Sequence, residues 1–149
     1  MPEKYKDMHF ERGFTLIELL VVVAIILLLT TIVLVNTKNT RFQAHDSNIQ
    51  SIMHQVRNEA EFIYAQNGES YSTICDEINN TLNDGGEMGL LEKRIRNENG
   101  AQNVTCFESA DKKDFAATSI LRSRNKYWCI ESAGLSREID NQITTARCQ

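Results

Sequence analysis

Residues 14–35 read FTLIELLVVVAIILLLTTIVLV, with no glycine, no proline and a single ionisable side chain, Glu18. A helix rises about 1.5 Å per residue, so this run spans roughly 33 Å, close to the ~30 Å hydrocarbon thickness of a bilayer. A soluble amphipathic helix keeps a polar face, whereas this segment is apolar all round, as a membrane span is. A cleaved secretory signal has a shorter apolar core followed by small residues. Here the run is followed by Asn36, Thr37, Lys38 and Asn39, and no cysteine near its end suggests a lipoprotein signal. Lys4, Lys6 and Arg12 precede the run and Lys38 and Arg41 follow it, a distribution that favours a cytoplasmic N-terminus.

Glu18 sits four residues inside the run. An ionised carboxylate in a bilayer costs a few kcal/mol on insertion scales, so such a residue needs a function and a positive partner. The stretch Arg12-Gly13-Phe14-Thr15-Leu16-Ile17-Glu18, continuing to Ile26, resembles the processing site of type IV prepilins and the related type II secretion pseudopilins. That resemblance implies that a prepilin peptidase cuts between Gly13 and Phe14, on the cytoplasmic side. It further implies that Phe14 becomes the N-methylated N-terminus. Glu18 is then the retained carboxylate, which pairs with the N-terminal amine of a neighbouring subunit during filament assembly. The chain departs from many type IV pilins in two ways. Leu27 and Val35 stand where those pilins carry a helix-breaking glycine and a proline, so a more continuous helix is expected. The leader, residues 1–13, balances its bases with Glu3, Asp7 and Glu11.

Beyond residue 36 about 110 residues remain, enough for one small core. Ile49, Ile52, Met53, Val56, Ala60, Ile63 and Tyr64 recur at spacings of three and four. The helix therefore continues through residues 36–68 in amphipathic form, with Asn67-Gly68 as its stop. Residues 69–100 read as a connection, with Asn79, Asn80, Asn83, Asp84, Gly85 and Gly86 as loop formers and a short helix over 90–95. Three strands are expected at 104–108, 115–121 and 127–131, with turns at 109–112 and 123–126. The expected fold is α+β: a long N-terminal helix, membrane span then amphipathic half, packed against a small antiparallel sheet in a head of residues 69–149. Trp128-Cys129-Ile130-Glu131-Ser132-Ala133-Gly134 resembles a strand-and-turn segment of bacterial pilin-like heads, with Trp128 expected in the core.

The four cysteines, Cys75, Cys106, Cys129 and Cys148, form no C-x-x-C pair and have no histidine at zinc-ligand spacing. An even count in a small exported domain reads as two disulfides. Four cysteines allow three connectivities, and sequence does not choose among them. Cys75–Cys106 with Cys129–Cys148 is the working pairing, the second tying the C-terminal segment to the last strand.

No catalytic motif is present, and no cofactor or metal is implied. His45 and His54 lie nine apart and read as surface residues, and Asn83, Asp84 and Glu87 match no EF-hand loop. The net charge is −4, with no basic stripe carrying interleaved aromatics; nothing supports DNA as a partner beyond scattered lysines and arginines that allow low-salt association. The resemblance implies a structural subunit of a type IV pilus-like filament, serving adhesion, twitching motility or DNA uptake. Its partners would be copies of itself, the prepilin peptidase and methylase, the pilus or secretion machinery, and membrane lipid before assembly. It would be a single-pass protein of the cytoplasmic membrane first and part of a surface filament afterwards. The alternatives are a type II secretion pseudopilin and a membrane-anchored extracellular binding module that never polymerises.

Overall fold

The computed structural model describes residues 13–149, apart from the side chains of 33–36. Residues 1–12, expected to belong to a leader, lie outside the described residues. The chain divides into an N-terminal unit that ends at Lys38 and a C-terminal unit that runs from Asn39 to Gln149. One helix, α1 (Leu16–Gln66), passes through both.

In the N-terminal unit, every side chain described from Gly13 to Ile32 is exposed, including Leu16, Leu20, Ile26 and Leu28 at more than half of their full area. So large an exposed apolar surface is unfavourable in water and is consistent with a membrane-anchored segment. The segment is long and apolar enough to cross a membrane. Its two inner hydroxyls are satisfied within the helix, as hydrocarbon requires. Thr30 Oγ1 donates to the Ile26 carbonyl at 2.6 Å and Thr31 Oγ1 to the Leu28 carbonyl at 2.8 Å.

In the C-terminal unit, α1 buries Ile49, Ile52, Met53, Val56 and Ala60, with Ile63 and Tyr64 half-buried beside them. The helix stops where the sequence says it should. Gly68 takes a left-handed φ of +65°, and the Glu69 N–H reaches back to the Tyr64 carbonyl at 2.9 Å, the six-to-one bond of a Schellman turn. The second helix, α2 (Gly86–Asn99), is longer than the 90–95 expected and buries Met88, Leu91 and Ile95 against the same core. Gly86, read as a loop former, opens it. Gly89 is required inside it, because a Cβ there would lie 2.0 Å from the Asp84 carbonyl oxygen.

The sheet has six strands, not three: β1 (Cys75–Asp76), β2 (Thr81–Leu82), β3 (Thr105–Glu108), β4 (Phe115–Ile120), β5 (Tyr127–Glu131) and β6 (Ser136–Ile139). They pair antiparallel in chain order, β1-β2-β3-β4-β5-β6. Side chains alternate across a strand, and both faces are covered. Cys106, Phe115, Ala117 and Ile130 join the helical core, with Trp128 half-buried against it. Ala116, Cys129 and Ile139 pack on the other side with Ile143 and Cys148 of the C-terminal segment. This double cover explains why β4 is buried from Phe115 through Ser119. Disulfides join Cys75 to Cys106 and Cys129 to Cys148, with Cα separations of 5.4 and 5.8 Å. The second ties the C-terminus to β5, which is not the last strand; β6 follows it.

Candidate functional site

The start of α1 is built by a reciprocal pair. Thr15 lies just outside the helix, and its Oγ1 accepts the Glu18 backbone N–H at 3.3 Å. Glu18 Oε2 reaches back to the Thr15 N–H at 2.9 Å and also accepts the Thr15 hydroxyl proton at 2.7 Å. This is a capping box: the first turn of a helix leaves backbone N–H groups without partners, and Thr-x-x-Glu satisfies two of them. The carboxylate also stands at the positive end of the helix dipole, where a negative charge is favourable. Sequence marked Glu18 as an intruder in an apolar run. The structure shows that its local role is to hold the polar end of that run in one conformation.

The two residues before the cap carry little structural duty. Phe14 is 74 % exposed. Gly13 does not have a positive φ, and among the described residues a Cβ built on it meets nothing within 4 Å. The fold therefore gives no reason for glycine at position 13. What glycine supplies there is an unobstructed peptide bond next to Phe14.

The chemistry available follows from adjacency. A cut between Gly13 and Phe14 would leave an α-amine one residue before the amide that Glu18 accepts. Such an amine has a pKa near 8 and is largely cationic at neutral pH, and N-methylation leaves it basic. A cation there would oppose the helix dipole, and an acid at Glu18 offsets it. Comparison with known proteins bears on this segment: residues 8–34 match the prokaryotic N-terminal methylation motif. The chain carries the N-terminal signature of type IV pilins and prepilin-like proteins. No curated protein and no solved structure matches it significantly. The prepilin-like signature covers the N-terminal unit, and the head beyond it is described by its own structure alone. Proteins with this signature are structural.

The head of this prepilin-like chain is held by buried carboxylates that sequence reasoning did not single out. Asp46 accepts the Arg122 N–H at 2.6 Å, the Ser123 N–H at 3.1 Å and the Ser123 hydroxyl, which fixes the β4–β5 turn to α1. Glu108 accepts the Cys75 N–H at 2.7 Å and pairs with Lys112 at 2.9 Å. Glu131 accepts the Cys148 N–H at 2.7 Å. Asp46 had a signal in the sequence: it lies three residues before Ile49, on the apolar face. The other two had none, because their partners are distant backbone amides.

His45 is not a free surface residue. Its Nδ1 lies 2.7 Å from Glu98 Oε2, which ties α1 to α2, and Asn48 Nδ2 donates to the same oxygen at 3.3 Å. These contacts, the His45 hydrogen bond foremost, hold the Glu98 carboxyl below the usual range. His54 meets only the edge of Trp128, with ring centroids 6.3 Å apart. Among the described residues, no group of three His, Cys, Asp or Glu side chains is placed to hold a metal.

Proposed function

We propose that this chain is the precursor of a structural subunit of a type IV pilus-like filament. A prepilin peptidase cuts it between Gly13 and Phe14 and Phe14 is N-methylated. Residues 14–35 hold it in the cytoplasmic membrane until the assembly machinery draws it into a surface filament. There Glu18 pairs with the N-terminal amine of a neighbouring copy, and the exposed apolar surface of the first half of α1 exchanges lipid for other subunits.

The observation that carries this reading is the capping box. It places the one carboxylate of the apolar segment at its N-terminal tip, beside the position where cleavage would create a cation. In a membrane, two opposite charges attract far more strongly than in water, so the pairing offsets the desolvation of Glu18. A disulfide-bonded head agrees with an extracytoplasmic destination.

Glu18→Gln separates the two roles of this residue. The amide still accepts from the Thr15 N–H, so the helix start and membrane insertion remain, but the charge is gone. We expect sheared-filament yield to fall at least about tenfold, the effect of losing one charged contact, while the membrane pool stays at wild-type level. Wild-type filament yield from Glu18→Gln would contradict the pairing role.

A further inference from the structure

The turn between β1 and β2 carries Glu77-Ile78-Asn79-Asn80-Thr81. Asn-x-Thr with a residue other than proline in the middle is the acceptor pattern for N-linked glycans on exported chains. The acid two places earlier extends it to the longer pattern, acid-x-Asn-x-Thr, that bacterial-type oligosaccharyltransferases read. We propose that Asn79 is a glycosylation site, taking an oligosaccharide from a lipid-pyrophosphate-linked donor.

Geometry supports the site. Residues 77–80 form the turn itself, and Glu77, Ile78 and Asn79 are all exposed. The flanking strands are only two residues each, paired as Cys75 with Leu82 and Asp76 with Thr81, and β2 meets β3 through Thr81 with Thr105 and the Cys106 N–H on the Asn80 carbonyl, so these short pairings are what must yield for an enzyme groove to take the segment. Glu77 pairs with Lys112 at the surface, and an exposed pair of this kind releases its acid at little cost. Asn79 Nδ2 points its hydrogen at Asp76 Oδ2, 2.6 Å away.

Transfer forms a bond between the anomeric carbon of the sugar and Nδ2 and breaks the bond from that carbon to the pyrophosphate oxygen. The electron pair leaves with the lipid pyrophosphate, and one proton passes from Nδ2 to a base of the transferase and on to solvent. The second Nδ2 hydrogen remains on the glycosylated amide.

The chain offers its own control. Asn103-Val104-Thr105 is also Asn-x-Thr, but Ala101 stands where the acid would be. The middle residue Val104 is fully buried, whereas Asn80 is exposed, and the Thr105 hydroxyl is held by Gln142. A glycan on Asn79 would also cover Ile78, an apolar residue 90 % exposed at the tip of the turn.

In the cell the modification rests on the reading above that the head leaves the cytoplasm, but the acceptor test does not. Full-length chain in detergent micelles is incubated with a purified bacterial-type oligosaccharyltransferase, its divalent cation and a lipid-pyrophosphate-linked oligosaccharide containing N-acetylgalactosamine. After reduction, alkylation and trypsin, the two candidate asparagines fall on separate peptides, 58–93 and 97–112. Glycan mass on 58–93, lost in Asn79→Gln and retained in Asn103→Gln, is the expected result. Glu77→Gln should slow transfer about tenfold, as loss of a charge-assisted contact does. An unmodified 58–93 peptide, transfer that persists in Asn79→Gln, or transfer to Asn103 would overturn the proposal. None of these outcomes depends on where the head resides in the cell, so failure here leaves the filament reading standing.

Discussion

At the residue scale, this chain uses carboxylates as ties. Glu18 closes the helix start, Asp46 fixes a turn to α1, and Glu98 joins α1 to α2 through His45. Glu98 has a pH consequence whose sign is fixed. Its folded-state pKa is depressed, chiefly by the His45 hydrogen bond. Its contribution is therefore present above the ordinary glutamate pKa of about 4.3 and lost as pH falls through the lower folded value. Urea denaturation of the head should show acid destabilisation in that window, shallower in Glu98→Gln. An unchanged pH slope in the variant would contradict the tie. Of these three acids, only Glu18 was singled out from the sequence, because a charge inside an apolar run is costly and calls for a positive partner. Asp46 lay on the apolar face of α1, but its partners are backbone amides 76 and 77 residues away, which no local pattern reveals.

Elements with a strong period were the legible ones. Spacings of three and four gave the second half of α1 and its end at Asn67-Gly68, because side-chain burial and a left-handed glycine both leave marks in sequence. The three central strands, β3 to β5, fell close to the expected ranges. The two-residue strands β1 and β2 are too short to show alternation. β6 carries one buried apolar residue, Ile139, so nothing in Ser136–Ile139 resembles a half-buried strand. The extent of α2 was missed because its first residues, Gly86 to Gly89, read as loop. Gly89 shows why glycine is there. A Cβ would stand 2.0 Å from the Asp84 carbonyl oxygen, a backbone atom that no rotamer change can move. Alanine would gain about 1 kcal/mol of helix propensity, but the clash should outweigh it. Gly89→Ala is expected to destabilise the head by about 1–3 kcal/mol net, the range of overpacked sites, measured by urea denaturation. A stabilised variant would show that the approach of Asp84 is not needed.

At the scale of the whole molecule, the two units meet different solvents. The N-terminal unit exposes its apolar side chains, as the proposed membrane and filament states would require. The head closes its own core between α1, α2 and the sheet, and closes the far face of the sheet with the C-terminal segment. The disulfides fasten the sheet at two places: β1 to β3, and β5 to the C-terminal segment. Cross-links of these loop lengths, 31 and 19 residues, contribute about 3–4 kcal/mol each, against about 5–15 kcal/mol for a domain of this kind. Limited proteolysis in detergent should therefore degrade the head much faster with reductant than without, while the apolar segment stays protected in the micelle. Equal resistance in both conditions would contradict the stapling role.

Mass spectrometry of the N-terminal peptide from filaments sheared off the native cell checks the proposed cut, methylation and polymerisation together. Abundant peptide that begins at Phe14 and carries one N-methyl group is expected. A chain found only in membranes, with residues 1–13 still attached, would contradict the proposal.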